Sequence, residues 1–398
     1  MTSRKSFAPT IPLPAGAPAA VQVGNRFFTS GIVSDRSGGL ESESHRVFQL
    51  LAELLRSSGL STNDVVRTRI WHTGEHGANG ANGANGGPEH DPDHARDPGE
   101  SLLRSVHGVV FSHPGPALTV VQVERLPGGA AVAVELEAVA ESGDSTARFE
   151  SDFESSSSLA VQVGDELWTS GLRGDPTADR PTQIRQAVAD ASGLMKRAGI
   201  GAGDIVSTRH FMRHDVQFES DPPEWLAFKE PSIPTSAGIA VNGVGAPDQV
   251  FTFELEGVAG AAAARTNLRT GRTFEVEHNY CRAVRVGEGD VIYVAGTTSL
   301  IPGEIIQHPG EVGPQVVDTL EIIRWAVTEL GLEWDDLAQT RTYVVGGDEK
   351  IDEAVAALEQ SLPNADSGGV ASTVVGVPVL GRPGVVVEIE ARAVRAPR

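Results

Sequence analysis

The segment VQVGNRFFTSG, ending at Gly31, returns as VQVGDELWTSG ending at Gly171 and, more distantly, as VRVGEGDVIYVAG ending at Gly296. Internal repetition on this scale constrains a chain more than any other feature, because the fold must then be built from one unit used several times. Each copy runs on into a helix-patterned stretch and a strand-rich one: HRVFQLLAELLRSSGLSTNDVVRTRIW, QAVADASGLMKRAGIGAGDIVSTRHF and DTLEIIRWAVTELGLEWDDLAQTRTYV. The pairs Thr68-Arg69, Thr208-Arg209 and Thr340-Arg341 fix the register between them. Gly24 and Arg69 are 45 residues apart, as are Gly164 and Arg209, whereas Gly287 and Arg341 are 54 apart. The extra nine are expected around the loop TTSLIPGEIIQHPGEVG of copy three. Each copy closes on a strand of E-x-E form, in which Glu135, Glu254 and Glu388 read as equivalents.

Composition shifts mark the joints. Residues 141–158 are rich in Ser, Asp and Glu, and residues 259–273 are small and polar, which places three domains at 1–150, 151–265 and 266–398. Inside the first, the Gly/Asn/Pro tract near 74–100 reads as a flexible surface insertion that cannot bury a core. Within a unit the pattern is a hairpin, a helix, a strand, a second helix and closing strands. Leu320, Ile323, Ala326, Val327 and Leu330 recur at helical spacing, while Val132, Val134, Leu136 and Ala138 alternate as in a strand. The expected class is α+β, each unit a mixed sheet backed by two helices. Helices then cover one face of each sheet, and three sheets in one chain are expected to cover each other's second face.

The function classes that remain are narrowed by charge. With 32 basic and 53 acidic residues the net charge is −21, which opposes binding to nucleic acid or anionic lipid. No apolar run approaches the roughly 18 residues of a membrane span. One cysteine, Cys281, allows no internal disulfide, and MTSRKSFAP lacks the apolar stretch of a secretory signal, so a cytoplasmic location is expected. There is no phosphate loop, dinucleotide fingerprint or nucleophile elbow, and no cofactor is expected. His90, Asp91, Asp93 and His94 have the ligand types of a metal site, but their Pro-interrupted segment does not preorganise one, and no metal is expected.

At YCRAVRVG, VAGTTS, DLAQTRTYV and VVVEIEARAV in copy three, and over about 100 residues of each other copy, the chain resembles the YjgF/Rid family of reactive-intermediate deaminases. That family is related in fold to the trimeric chorismate mutases and the chorismatases. Its members are usually homotrimers with a ligand cleft at each subunit interface. The resemblance therefore implies a covalently joined pseudo-trimer, monomeric in solution, with three non-identical clefts between units.

The family's deaminase chemistry rests on an arginine that holds the substrate carboxylate, a backbone-rich turn and a glutamate that positions water. The arginine position falls at Leu118, Ser236 and Ser372, so no copy keeps it. The glutamates fall at Glu135, Glu254 and Glu388, with a rim carboxylate as the structural alternative to a catalytic one. The opening tyrosine survives only as Tyr280; Ala17 and Ser157 replace it elsewhere. A cleft using Tyr280, Thr297, Ser372 and Glu388 can orient water or a polar ligand. Arg69, Arg209 and Arg341 lie on the strand face opposite their Thr neighbours. They read either as substitute anchors for an anionic substrate or as structural arginines paired with carboxylates. His210 adds an acid or base near neutral pH if it reaches a cleft. Cys281 reads as a buried, inert thiol. The resemblance implies an enzyme hydrolysing, or adding or eliminating water from, a small imine-, enamine- or carboxylate-bearing metabolite of specialised biosynthesis. A chorismatase-like release of pyruvate and a non-catalytic ligand-binding pseudo-trimer are the alternatives.

Overall fold

The computed structural model describes residues 4–8, 16–74, 97–111, 113–140, 146–150, 157–216, 222–287, 291–363 and 368–395. The three units repeat one strand order. In the first it is Arg4–Phe7, Ala20–Val23, Arg26–Thr29, Val132–Val139, Val65–His72, Ala117–Gln122. In the second it is Thr146–Glu150, Ser158–Val163, Glu166–Thr169, Phe251–Val258, Ile205–Arg213, Thr235–Val241. In the third it is Arg265–Leu268, Ala283–Val286, Val291–Thr297, Val387–Val394, Leu337–Val345, Ala371–Val377. In every unit the fifth strand, which carries the Thr-Arg pair, runs antiparallel to the fourth and parallel to the sixth. The parallel step needs a crossover, and the second helix supplies it: Pro98–Val110, Pro223–Lys229 and Asp348–Ser361. The first and second sheets join edge to edge at Ala117 and Ser158.

The long helices Gly39–Ser57, Arg180–Arg197 and Val312–Glu329 end in the same way. Gly59, Gly199 and Gly331 have φ of 79°, 71° and 87°, and the next residue donates its amide five positions back, Leu60 to Leu55, Ile200 to Met195 and Leu332 to Val327. This closing loop requires a left-handed residue, which glycine adopts at no steric cost, and it drops an apolar residue into the core. In the third of these helices Val312, Val316, Leu320, Ile323, Ala326 and Val327 are buried, as the periodicity anticipates. No helix of the described residues is long and apolar enough to cross a membrane.

Each helix pair covers an apolar core of its own unit, with Phe48 and Leu103 in the first, Leu194 and Trp225 in the second, and Leu320 and Leu358 in the third. The opposite sheet faces meet one another. Trp71, Phe211 and Tyr343, at matching positions of the three fifth strands, pack edge-on, Trp71 lying 5.6 Å from Phe211 and 6.2 Å from Tyr343 between ring centroids. The chain is thus an α+β protein of three tandem units with one strand order, arranged as an intrachain pseudo-trimer.

The second sheet begins at Thr146, inside the segment read as a linker, and the third begins at Arg265. Both strands are sheet edges with alternating partial exposure, so they hold by backbone pairing and carry little apolar signal. The insertion, with His90, Asp91, Asp93 and His94, lies in residues 75–96, outside the described residues. Among the described residues no cluster of metal-ligating side chains occurs.

Candidate active site

A ring of buried charges surrounds the pseudo-threefold axis. Arg69 of the first unit donates from Nε to Glu254 of the second at 2.7 Å, and from Nη1 to Glu135 of its own at 2.6 Å. Arg209 of the second grips Glu390 of the third, and Arg341 of the third binds Glu135 of the first. Arg67 and Arg392 complete the ring with Glu137 and Glu256. Burial alone would raise the Glu254 and Glu135 carboxyls, but the surrounding guanidinia outweigh it and hold both below the usual carboxylate range. Arg69, Arg209, Arg341, Glu135 and Glu254, read from sequence as substrate-binding or catalytic, are therefore placed in this structural ring.

Ladder register separates Glu388 from its supposed equivalents. Arg69 lies opposite Glu135, Arg209 opposite Glu254, and Arg341 opposite Glu390; Glu388 lies opposite Tyr343. Its true counterparts are Ala133 and Thr252, opposite Trp71 and Phe211. Aligning the E-x-E motifs misplaces copy three by two residues, a slip that keeps every side chain on its face and so leaves no trace in the alternation.

The turn after each hairpin meets the sixth strand of another unit. Gly31 donates to the Ser372 carbonyl and Gly171 to the Leu118 carbonyl, both at 3.3 Å. The first two junctions are closed. Ser372 accepts a hydrogen bond from Thr340 at 3.2 Å, its amide donates to Ser30 at 2.9 Å, and both Ser372 and Leu118 are 1% exposed.

At the third junction the turn Ala295-Gly296-Thr297 faces Ala237 of the second unit, and Glu388, Ser236 and Tyr280 keep 8–9% exposure. A β-carbon on Gly296 would stand 2.0 Å from Glu388 Oε1, so the carboxyl is packed directly on the turn's backbone. Burial first, and the neighbouring Glu390 charge second, push the Glu388 carboxyl up to about 8 against the opposing pull of Arg282. A group so raised holds its proton over most of the range below about 8 and can give it up, unlike the ring carboxylates.

Arg282, which the sequence reading passed over although it stands in YCRAVRVG, organises this cleft. It donates to the Gly296 carbonyl and to Thr297 Oγ1, both at 3.1 Å, and pairs with Glu275 at 3.1 Å. Its position two residues beyond Tyr280 is the signal that was available. Thr297 is fully buried by these contacts and shapes the turn. Tyr280 lies within electrostatic reach of Arg282, Glu275 and Glu388, and burial raises its phenol. The segment carrying it is tied to the second unit by Lys229 Nζ to the His278 carbonyl at 2.6 Å and by the Cys281 amide to the Pro234 carbonyl at 3.0 Å. The Cys281 thiol is pushed up to about 12 by burial and is inert.

Ser372 and His210 are not brought to this cleft. Ser372 belongs to the closed first junction. His210 projects to the helix side of its sheet, 5.5 Å from Trp225 and 5.9 Å from Phe251 between centroids, one residue out of phase with the face that bears Arg209. Ser236 accepts a hydrogen bond from Thr208 at 3.1 Å.

Residues 270–395 match the family model described as Endoribonuclease L-PSP. A member of the YjgF/YER057c/UK114 family from Mycobacterium tuberculosis is 31% identical, over 33% of this chain and 99% of that one, with a TM-score of 0.28. The chain belongs to the YjgF/Rid family. RidA from an Antarctic Psychrobacter is 24% identical over 34% of this Rid chain and 94% of its own, with a TM-score of 0.25. A chorismatase shares the fold across 83% of this Rid chain and 93% of its own, at 14% identity and a TM-score of 0.50. Among curated proteins nothing matches the chain.

Proposed function

We propose that this Rid-family chain is an enzyme with one working cleft, at the junction of the third and second units, and that Glu388 is its general acid. The observation that carries the reading is the buried Glu388 carboxyl packed on the backbone of Gly296, at a junction where Glu388, Ser236 and Tyr280 keep 8–9% exposure against 1% for Ser372 and Leu118 at the other two. In hydrolysis of an imine, water adds to the C=N carbon with one of its protons passing to nitrogen, Glu388 gives its proton to the departing nitrogen and recovers one from the added hydroxyl as the C–N bond breaks, so imine and water become a carbonyl compound and ammonia. Tyr280 orients the attacking water, and the Arg282 charge steadies negative charge that develops beside the turn. The substrate is a small carboxylate-bearing molecule, and the protein works as a cytoplasmic monomer, its three units standing where a trimer would.

The test is ammonia release from an imine generated in place by an amino-acid oxidase. Glu388→Gln is expected to lose at least about 100-fold in kcat/KM, the usual worth of a positioned acid. Full activity in Glu388→Gln overturns the reading.

The fold shared with a chorismatase over most of the chain supports a second reading, cleavage of an enolpyruvyl ether, in which the same acid protonates the enol carbon before water adds. Pyruvate released from chorismate would favour it over imine hydrolysis.

A further inference from the structure

The nine extra residues of copy three sit in the only unit that also carries Tyr280 and Glu388. Two of them fall between Val286 and Val291, which pair where Val23 pairs with Arg26. The rest build a small hairpin, Leu300–Ile301 against Ile305–Ile306, turned by Gly303 and Glu304 at φ of 88° and 61°. This hairpin walls an open groove of about 640 Å³ against the helix Val312–Glu329 and the segment 270–273.

The groove carries charges of both signs. On the wall of segment 270–273 stands Arg272, half-buried, with Nη2 on the Leu300 carbonyl at 2.7 Å and its charge within reach of Tyr280 and Arg282. On the helix stand Asp318 and Glu321, with Ile322 and a Trp325 that is 45% exposed. The contacts of the two acids are loose, Asp318 at 3.8 Å from His308 and Glu321 at 3.7 Å from Arg324, while Glu304 is engaged by Arg382 at 2.8 Å. A chain of polar contacts joins the groove wall to the cleft: Thr270 donates to Glu275, Arg282 pairs with Glu275, and Arg282 donates to the Gly296 carbonyl.

We infer that this groove is the substrate's binding channel, that Arg272 holds the substrate carboxylate in place of the arginine missing from the sixth strands, and that the substrate's tail ends in a cation received by Asp318, Glu321 and Trp325. The inference rests on the cleft assignment above and deepens it. An aliphatic spacer lies along Leu300 and Ile322, and an ammonium or guanidinium over the indole face gains from both the ring and the acids. A ligand with an acidic tail meets two like charges instead.

Calorimetric binding of three product-like acids, 2-oxo-5-guanidinopentanoate, 4-methyl-2-oxopentanoate and 2-oxoglutarate, tests this without depending on turnover. The guanidino acid is expected to bind roughly tenfold tighter than the methyl acid, and 2-oxoglutarate most weakly. The double variant Asp318→Asn, Glu321→Gln should erase that preference, and Arg272→Ala should weaken all three. Equal affinities, a preference for 2-oxoglutarate, or no binding of any acid overturns the groove assignment. Because the cleft is tested by turnover in Glu388→Gln, loss of turnover there alongside a failed binding order removes the groove and leaves the cleft standing.

Discussion

Arg209 Nε donates to both carboxylate oxygens of Glu390, at 2.7 and 2.8 Å, although its own ladder partner is Glu254. The arginine of each unit also reaches the glutamate of another, Arg69 to Glu254 and Arg341 to Glu135, so the buried charges of each unit are satisfied partly by its neighbours. Removing one partner leaves an uncompensated charge in a low-dielectric interior, which costs far more than the pair contributes. Arg69→Met is expected to lower unfolding stability by about 3–5 kcal/mol in urea titration. An unchanged midpoint would show that the ring is not holding the units together.

The same wiring bears on the units as separate pieces. Residues 265–398 alone would present Arg341, Glu390 and Arg392, with Tyr343, on a solvent-facing sheet. This fragment is expected to be unfolded or self-associated by circular dichroism and light scattering, and the full chain to be monomeric. A stable, monomeric fragment would mean that each unit carries its fold unaided.

Protonation of Glu388 sets a pH limit with a defined sign. Its folded value, about 8, lies above the ordinary 4.5, so the folded state holds a proton that the unfolded state has released between those values. Activity that uses the acid form is expected to fall as pH rises through about 8, and the stability this group contributes, full below 4.5, is lost over the same rise. The ring carboxylates run the opposite way: their stabilisation is present above the ordinary carboxylate value and is lost as pH falls through their depressed values. A pH–rate profile that keeps its alkaline limb in Glu388→Gln would contradict the assignment.

Gly296 is required by close approach rather than by φ. Gly296→Ala places a methyl 2.0 Å from Glu388 Oε1 and 3.2 Å from the Ala237 side chain. Displacing the carboxyl is expected to abolish turnover, while thermal unfolding shows an overpacking cost of about 1–3 kcal/mol. Retained turnover would place the chemistry elsewhere.

Much of this was legible in the chain itself. The repeat, the helix and strand periods and the Thr-Arg landmarks lead directly to three units and to sheet faces that cover one another. Edge strands such as Thr146–Glu150 escaped because backbone pairing at a half-exposed edge asks little of side chains. The glutamates escaped for a different reason. A strand has period two, so Glu388 and Glu390 are interchangeable to any pattern, and only the ladder places one in the ring and the other in the cleft. Arg282 and Arg272 were equally visible as residues, but nothing in spacing alone distinguishes a cleft arginine from the ring arginines, since burial and partners make that difference.

The central claim is that one junction of three binds substrate, and crystals soaked in 2-oxobutyrate test it most directly. Ligand density is expected beside Gly296, Tyr280 and Glu388, with none at Ser372 or Leu118. Density at either of those two junctions, with the third empty, would contradict it.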